Sequence, residues 1–355
     1  MTPLHTGARI GILGGGQLGR MLSLAAAKLG FDVSIYCPEP DCPAARVSHE
    51  HILADYLDLE TLLAWARSCD IITYEFENVP VLAAQTLLGA GILVRPGALP
   101  LEVSQDRLRE KAFLSESCNI PTAPFRAIAS DTDIDAALRE LGGEGILKTR
   151  RDGYDGKGQA RVALGDDYAA AHKALGNQPA ILEALIPFRV EISILIARAP
   201  NGETRCYEAP LNQHINGILK RSTVPSGLSD AIFGQASAAA ERLATALNYI
   251  GVLALEFFVL EEDSLLANEF APRVHNSGHW TPEACITGQF EQHIRAICGW
   301  PLGAVTRTGA VEMTNLLGAE AAQAHKALTP NESLTLYGKY EAKPGRKMGH
   351  LIRRF

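Results

Sequence analysis

Short apolar runs alternate with helically spaced apolar positions over the first hundred residues. This pattern predicts strands at 9–13, 32–36, 70–74 and 92–94, and helices at 17–29, 60–67 and 80–88. Strands that are separated by helices in this way build βαβ units around a parallel sheet. The run from Arg95 to Pro100 contains two prolines and a glycine, and it indicates a first domain boundary.

A different pattern begins near residue 104. A charged helix comes first, and strands then follow one another directly, which favours a largely antiparallel α+β region. Asn201-Gly202-Glu203 predicts a hairpin turn. One long alanine-rich helix is expected at about 229–247, and a basic tail ends the chain. The strands predicted here lie at 145–149, 159–164, 180–186, 190–198, 204–209, 217–224, 251–260, 264–271, near 310–317 and near 334–341.

Composition and charge exclude several classes of protein. The 355 residues are 47% hydrophobic and carry a net charge of −7, which disfavours a nucleic-acid binder. No apolar run approaches the roughly 20 residues of a membrane-spanning helix, and we recognise no signal peptide. The seven cysteines lack CxxC spacing, which predicts reduced thiols and neither a disulfide framework nor a zinc site. These features favour a cytoplasmic enzyme or binding protein without nucleic-acid or membrane partners.

Gly14, Gly16 and Gly19 lie between a predicted strand and a predicted helix. Such a turn lets a phosphate approach the free amides of the helix N-terminus. A nicotinamide dinucleotide site is a sharper alternative, but it needs an acid at the end of the second strand, and Glu39 and Asp41 come only after a proline. The third alternative is a glycine turn that serves only helix–sheet packing.

A second glycine loop lies between strands at 146–159 and has basic neighbours. It has the character of a lid over a triphosphate, with Lys148 as a fixed cation for phosphate oxygens. A long polar hairpin without a ligand is the alternative. Glu183 and Glu191 flank Pro187, where one carboxylate could accept from an adenine amine and the other from ribose hydroxyls.

Two glutamates interrupt strongly apolar strands. Glu256 lies within LALEFFVL and Glu269 within LLANEFAP, beside Asn268. Two carboxylates on adjacent strands repel each other unless a cation lies between them, and hard oxygen ligands suit Mg²⁺. The alternative is that each glutamate pairs with a nearby arginine such as Arg273.

Six motifs together resemble those of the ATP-grasp superfamily, and within it the 5-(carboxyamino)imidazole ribonucleotide synthases of bacterial purine biosynthesis. They span nearly the whole chain in the family's order. The motif that ends in HNSGHW is the most specific of the six. Other ATP-grasp enzymes share the glutamate pair, but they lack the HNSGHW segment that follows it here. The motifs are GGGQLGRM at 14–21, YEFENV at 74–79, QDRLREK at 105–111, LKTRRDGYDGKGQ at 147–159, NEFAPRVHNSGHW at 268–280 and PGRKMGH at 344–350.

The resemblance implies an ATP-grasp fold of mixed α/β and α+β class. An N-terminal Rossmann-like parallel-sheet domain is expected at 1–97 and the ATP-grasp domain at 98–295, with a lid subdomain at about 122–186. A small β-rich C-terminal domain would then occupy 296–355. A homodimer is expected from the same resemblance.

The resemblance also implies an ATP site with Mg²⁺. In it Arg107 and Lys148 hold phosphates, 153–159 forms the lid loop, and 183–186 is the hinge against adenine. Glu191 is the ribose partner, and Glu256 and Glu269 are the magnesium ligands. The residues implied at the nucleotide are Arg107, Lys148, Gly153, Tyr154, Asp155, Gly156, Lys157, Gly158, Gln159, Glu183, Ala184, Leu185, Ile186, Glu191, His214, Asn268 and Glu269.

A second set is implied for bicarbonate and aminoimidazole ribonucleotide. In this interpretation the N-terminal glycine turn meets a ribose phosphate. Those implied to bind substrate are Gln17, Leu18, Glu75, Tyr154, Lys157, Arg273, His275, Asn276, Ser277, Arg346 and Lys347. Those implied to act in catalysis are Tyr154, Asp155, Lys157, Arg273, His275, Asn276 and Lys347, with Asp155 as the candidate that handles the amine proton.

The implied reaction is ATP-dependent carboxylation of the exocyclic amine of aminoimidazole ribonucleotide, through carboxyphosphate and CO₂. Three rivals remain: a formate-using ATP-grasp ligase, a dinucleotide-dependent oxidoreductase based on Gly14–Gly19, and a non-catalytic nucleotide sensor. His275 and His279 have the spacing of a metal pair, but Pro272 and Gly278 disfavour a helix there, and we expect no zinc.

Overall fold

The computed structural model describes residues 2–153 and 158–355. Its N-terminal part is a parallel sheet, as predicted. The strands are β1 Arg9–Leu13, β2 Asp32–Cys37, β3 Glu50–Leu53 and β4 Ile71–Tyr74, in the order β3-β2-β1-β4, and the helices are α1 Gln17–Lys28, α2 Leu59–Ala66 and α3 Val81–Gly89. Strands β1, β2 and β4 are almost wholly buried, which explains their apolar sequences.

Two details of this sheet differ from the prediction. Strand β3 was not predicted, because Glu50 and His51 make it too polar to show an apolar run. Conversely, the strand predicted at 92–94 is reduced to a single bridge between Val94 and Ile72.

A second sheet contains four antiparallel strands. Two short helices, α4 Ala98–Ser104 and α5 Arg107–Ala112, lead into it, and a π-helical turn at Phe113–Ser117 continues α5, so the predicted charged helix is present from residue 107. Asp106 caps the second of these helices by accepting from the amides of Leu108 and Arg109. The sheet has the order β5-β8-β6-β7, formed by β5 Phe125–Ile128, β6 Glu144–Thr149, β7 Gln159–Ala163 and β8 Ala180–Ala184, with α6 Ile134–Glu140 and α7 Tyr168–Ala174.

The central sheet has nine strands, and the antiparallel pairing predicted for it is confirmed. Its elements are β9 Val190–Arg198, β10 Thr204–Cys206, β11 Leu211–Ile215, β12 Ile218–Val224, α8 Asp230–Ala246, β13 Gly251–Val259, β14 Leu265–Ala271, α9 Thr281–Ala284, α10 Gln289–Ile297, β15 Val311–Leu317, α11 Glu320–Gln323, β16 Glu332–Leu336 and β17 Lys347–Arg354. The order is β14-β13-β9-β11-β12-β15-β17-β16, and β10 pairs with β9 through the predicted hairpin turn.

The basic tail is a strand of this sheet. β17 pairs with β15 on one side and β16 on the other, and it buries Met348 and Ile352. Because β15 pairs with β12, the last three strands continue the same sheet. The positive charges of Lys347, Arg353 and Arg354 therefore lie at fixed places along a strand that is paired on both sides.

A buried histidine joins the first sheet to the central one. His293 on α10 contacts the Thr73 hydroxyl of β4 at 3.0 Å and accepts from the Val252 amide of β13 at 3.0 Å. Burial lowers the pKa of His293 to about 3, so the ring is neutral and both nitrogens stay in these contacts. Over the described ranges, no helix is both long and apolar enough to cross a membrane.

Gly11 lies in the middle of β1 under tight packing. A Cβ atom there would lie 2.4 Å from Ile72 Cδ1 and 2.8 Å from Trp65 Cζ2. We expect Gly11→Ala to destabilise the chain by about 1–3 kcal/mol through overpacking. Gly89 ends helix α3 with open space around it, so Gly89→Ala is the matched control and should be neutral or slightly stabilising. Urea unfolding measures both, and equal midpoints for the two variants would contradict this account of the core.

Candidate active site

A cleft of about 1120 Å³ lies where the three sheets meet. Its walls come from the first glycine loop, from the strands and loop around the second glycine loop, and from the central strands β13 and β14. The turn before β17 closes one side with Pro344, Gly345 and Arg346. Nearly all described residues that the sequence singled out lie in this one cleft.

Glu256 and Glu269 face each other across β13 and β14. A register shift between Leu255 and Phe257 places Glu256 opposite the Asn268–Glu269 step. Arg107 donates from Nη1 to Glu269 at 2.7 Å. Arg273, the arginine considered as an alternative partner, pairs with Glu77 instead. Arg107 therefore forms a direct ion pair with Glu269, while Glu256 contacts the ring of His275.

The two glutamates have opposite electrostatic surroundings. Burial, followed by repulsion from Glu269, raises the pKa of Glu256. Burial also disfavours the charge of Glu269, but Arg107 outweighs it and lowers the pKa of that carboxyl. Within this coupled pair, Glu269 carries the negative charge and Glu256 is the more readily protonated partner.

The donor set of this pair fits a magnesium ion. Both carboxylates are supplemented by Asn268, whose Oδ1 is buried and has no hydrogen-bond partner within the described residues. Such an orphaned oxygen is costly unless something binds it. Two carboxylates and an amide oxygen are hard ligands of the kind that Mg²⁺ takes beside substrate phosphates.

Glu183 lies in a buried cluster with two lysines. Its Oε2 contacts Lys148 Nζ at 3.0 Å and Lys111 Nζ at 3.2 Å. Burial favours the protonated acid, but the two lysines outweigh it and lower the pKa of Glu183. The Glu183 carboxylate was expected to face adenine, but it is already bound by the two lysines. Lys111, which sequence reasoning missed, is 1% exposed and shares the Glu183 carboxylate with Lys148.

The hinge segment follows this cluster at the end of β8. Ala184, Leu185 and Ile186 line the cleft, and two aromatic rings lie beside them. Phe188 and Phe258 stack with their centroids 4.6 Å apart, and Phe188 is 43% exposed. An exposed apolar surface inside a polar cleft suits a planar base. Phe258 was hidden in an apolar strand and Phe188 followed a proline, so no motif marked either ring.

Glu191 and His214 contact each other on neighbouring strands, through Oε2 and Nδ1. Burial disfavours a charged imidazole, but the hydrogen bond to Glu191 outweighs it and raises the pKa of His214. Both residues line the cleft, as the resemblance implied for a ribose partner and its neighbour.

The first glycine loop is partly occupied by a side chain of the protein itself. Glu75 accepts hydrogen bonds from the amides of Gly16 at 2.8 Å and Gly19 at 3.0 Å. A side chain at position 16 would lie 2.6 Å from the same carboxylate, which explains the glycine. Gln17 and Leu18 line the cleft next to it. Two of the amides that could cradle a phosphate therefore already bind Glu75.

Residues after β14 form the deepest wall of the cleft. Arg273 binds Glu77 of the first domain, with Nη2 to Oε1 at 2.8 Å. His275 Nδ1 accepts from the Ser277 amide at 3.3 Å, which leaves the proton on Nε2, 3.2 Å from Glu256 Oε1. Burial, followed by Arg273 and Lys347, lowers the pKa of His275 to about 3, so the ring is neutral.

Asn276 and Ser277 are held by partners that sequence reasoning missed. Asn276 exchanges amide hydrogen bonds with Asn315 of β15, and the Ser277 hydroxyl accepts from Ser193 at 2.7 Å. Ser277 is fully buried, so its hydroxyl orients His275 and does not reach the cleft. Of the two histidines considered as a metal pair, His279 contacts Gln289 through Nδ1, and His275 contacts Glu256 through Nε2.

The turn at Pro344-Gly345 is present, with Gly345 at a φ of 75°. Lys347 follows it, and the Lys347 charge lowers the pKa of His275 and opposes the rise at Glu256, which places it toward the carboxylate pair. Arg346 lines the cleft beside it.

The second glycine loop is described only at its ends. Gly153 accepts from Arg107 through its carbonyl at 3.2 Å, and Gly158 has a φ of 69° with Gln159 beginning β7. Tyr154, Asp155, Gly156 and Lys157, which were expected at the nucleotide and the reacting groups, lie outside the described residues.

We expect the Glu191–His214 pair to make the stability of the fold depend on pH. Because the folded-state pKa of His214 is raised, the contribution is complete below about pH 6.5, the ordinary value for histidine, and is lost as pH rises through the raised value. His214→Gln should therefore cost more unfolding free energy at about pH 6 than at about pH 9. Urea unfolding at both pH values tests this, with His325→Gln on an exposed turn as control. If His214→Gln loses the same unfolding free energy at both pH values, the Glu191–His214 pair does not make stability depend on pH.

Comparison with known proteins agrees with this geometry. Three family models match the chain: the ribonucleotide synthetase preATP-grasp domain over residues 7–105, the ATP-grasp domain over 113–290, and the phosphoribosylaminoimidazole carboxylase C-terminal domain over 312–353. An N5-carboxyaminoimidazole ribonucleotide synthase of Brucella melitensis is 50% identical, over 99% of this chain and 98% of the relative.

Solved structures of such enzymes have the same fold. The N5-carboxyaminoimidazole ribonucleotide synthetase of Thermus thermophilus is 45% identical with a TM-score of 0.89, covering 98% of this chain and 93% of its own. The enzyme of Aspergillus clavatus, solved with ADP and 5-aminoimidazole ribonucleotide, is 30% identical with a TM-score of 0.91, covering 99% and 94%. The chain therefore belongs to the N5-carboxyaminoimidazole ribonucleotide synthases of the ATP-grasp superfamily.

Proposed function

We propose that the chain is an ATP-dependent carbon–nitrogen ligase that carboxylates 5-aminoimidazole ribonucleotide with bicarbonate in purine biosynthesis. The products are 5-(carboxyamino)imidazole ribonucleotide, ADP and phosphate. The observation that carries the proposal is the buried pair Glu256 and Glu269 with the orphaned oxygen of Asn268, facing the cations Arg107 and Lys148. Full-length relatives with this enzyme's name support it.

Glu256, Glu269 and Asn268 would hold Mg²⁺ against the phosphates of ATP. When bound, the ion neutralises charge on the phosphates during transfer. Arg107, which contacts Glu269, and Lys148, which contacts Glu183, would hold phosphate oxygens of ATP. A phosphate that displaces Glu269 from Arg107 leaves that carboxylate free for the metal.

The adenine would lie on the stack of Phe188 and Phe258, against the backbone of 183–186. Since the Glu183 carboxylate is held by Lys111 and Lys148, we assign the contact with the adenine amine to the hinge backbone. Glu191 would accept from the ribose hydroxyls, with His214 holding it in place.

Bicarbonate would bind near Arg273 and Lys347, where one of its oxygens can attack the terminal phosphorus of ATP as ADP leaves. Carboxyphosphate then breaks down to CO₂ and phosphate, and the exocyclic amine attacks the CO₂. Because carboxyphosphate reacts with water, the lid at 153–159 must close before transfer. His275, neutral and fixed by Ser277, and Asn276 would orient these groups, while Asp155, Tyr154 and Lys157 remain the candidates on the lid.

The ribonucleotide would lie between the first glycine loop and the turn before β17. Gln17 and Leu18 would offer backbone contacts, and Arg346 would bind its phosphate. Glu75 fills the amides that a dinucleotide pyrophosphate would need, which disfavours the oxidoreductase alternative. We further propose that the chain acts as a homodimer in the cytoplasm, with small molecules as its only other partners.

Release of ADP tests the reaction directly. It should require both bicarbonate and aminoimidazole ribonucleotide for full rate. Formate in place of bicarbonate should give no product, and the absorbance of a nicotinamide cofactor should not change. ADP release that is independent of both substrates, or product made from formate, would overturn the proposal.

The carboxylate pair gives a first variant. We expect Glu269→Gln to lower turnover by at least about 100-fold, or about 2.7 kcal/mol, because it removes one charge from the metal site at nearly constant size. Glu261→Gln, on the exposed turn of the same hairpin, is the control and should keep full activity. Steady-state kinetics at moderate Mg²⁺ measures both, and near-normal turnover of Glu269→Gln would remove this residue from the site.

The turn before β17 gives a second variant. Lys347→Ala should raise the KM for the ribonucleotide at least about 10-fold, near 1.4 kcal/mol, and change the affinity for ATP less than about threefold. Lys343→Ala lies in the same turn, where Lys343 is exposed and paired with Glu341, and should leave both unchanged. A fall in ATP affinity with an unchanged ribonucleotide KM would assign Lys347 to the other pocket.

A further inference from the structure

Two cysteines and a histidine come together at the edge of the first sheet, apart from the groups of the proposed reaction. Cys37 is the last residue of β2, Cys42 lies in the loop that follows, and His51 lies on the next strand, β3. One donor atom from each, the two sulfurs and a ring nitrogen, lies within 4.8 Å of the others. Both cysteines are buried and His51 is half-buried.

The fold places these side chains together for identifiable reasons. In the parallel pairing of β2 with β3, His51 lies opposite Ile35, and Ile35 and Cys37 point to the same face because side chains alternate along a strand. The imidazole therefore lies on the face that carries the Cys37 sulfur. Sequence spacing gave no sign of this, since the cysteines are not a CxxC pair and the histidine comes from another strand.

Gly15 makes room for both sulfurs. A Cβ atom at position 15 would lie 2.2 Å from the Cys42 sulfur and 2.7 Å from the Cys37 sulfur. The sulfurs thus lie against the backbone of the first glycine loop. The backbone at Gly15 also accepts a hydrogen bond from the Ala44 amide at 3.0 Å, which fixes the loop that carries Cys42.

Backbone groups prepare the three donors for a cation. The Glu39 amide donates to the Cys37 sulfur at 3.4 Å, and the Ala45 amide faces the Cys42 sulfur. The hydrogen bond between the two sulfurs, followed by burial, raises the pKa of Cys37, and the same hydrogen bond lowers the pKa of Cys42 to about 6. The two sulfurs thus share one proton, which a bound cation would displace. His51 Nε2 lies 3.3 Å from the Cys37 carbonyl, which can only accept, so the proton is on Nε2 and Nδ1 keeps its lone pair. This is the pattern of metal-binding histidines, whose second nitrogen donates to a carbonyl.

We propose that Cys37, Cys42 and His51 bind one zinc ion, with the fourth position open to the cleft. Two thiolates and a neutral imidazole suit Zn²⁺ and do not suit Mg²⁺, so this site differs in chemistry from the carboxylate pair. Cys37 and Gly15 also line the cleft, which gives an ion a route of entry. The ion would tie β3 and the 38–43 loop to the end of β2.

The test uses the full-length, untagged and reduced chain, without ATP or ribonucleotide. Co²⁺ is the optical probe, because thiolate coordination gives a charge-transfer band in the near ultraviolet, and Zn²⁺ should displace it. We expect one metal ion to bind per chain, and we expect Zn²⁺ to raise the melting temperature of the chain. Cys42→Ser and His51→Gln should each weaken Zn²⁺ binding at least about 100-fold, because each removes one of three protein ligands. Cys69→Ser, a half-buried thiol elsewhere in the same domain, should bind like the parent chain.

The outcomes separate the alternatives. Unchanged binding by Cys42→Ser and His51→Gln, or no saturable binding at all, would overturn the zinc site. The zinc site would also be overturned if the chain takes up no metal and peroxide oxidises Cys37 and Cys42 to a disulfide. In that reaction two thiols give one disulfide, and one peroxide becomes two waters. Far-ultraviolet circular dichroism of each variant confirms folding, and His51→Gln changes a half-buried side chain that is not part of the sulfur packing. Since no substrate is present, failure here leaves the proposed carboxylation untouched.

Discussion

The repulsion between Glu256 and Glu269 is the constraint around which this molecule is arranged. Two buried carboxylates on adjacent strands are unfavourable unless cations balance them. Within the described residues, Arg107 pairs directly with Glu269, while Glu256 keeps a raised pKa beside a neutral histidine. A site built in this way is completed by an added cation, which is what magnesium supplies with its nucleotide.

The other groups of the cleft depend on how the sheets hold that pair. Arg107 comes from helix α5, which lies between the first and second sheets along the chain, while Glu269 belongs to the central sheet. Arg273 reaches back to Glu77 in the loop after β4, and His293 contacts both the first sheet and the central sheet. The side chains of the cleft come from all three sheets, so they meet only when the three sheets are packed together. The ion pairs between the sheets set the distances between these side chains.

Much of this is predictable from the amino-acid sequence, and the reasons are physical. A glutamate in an apolar strand is unfavourable without a partner, so Glu256 and Glu269 are conspicuous among their apolar neighbours. Residues whose role depends on a distant partner are not conspicuous. Glu77, Lys111, Asn315 and the stacked Phe188 and Phe258 carry no local signal, because only the tertiary fold shows what they touch.

Long-range pairing hides two further features of the chain. The basic tail resembles a solvated terminus in sequence, since the pairing that makes it strand β17 is formed with residues of β15 and β16. The convergence of Cys37, Cys42 and His51 is hidden for the same reason, because the histidine reaches the two sulfurs only through the pairing of β2 with β3.

In the proposed reaction, ATP transfers its terminal phosphoryl group to bicarbonate within this cleft. Bicarbonate labelled with heavy oxygen tests it most directly, with mass spectrometry of the phosphate that is released. The account predicts that each phosphate carries one oxygen from bicarbonate, because the oxygen that attacks phosphorus stays with it when carboxyphosphate breaks down. Phosphate without the label, formed together with the carboxylated ribonucleotide, would contradict the account.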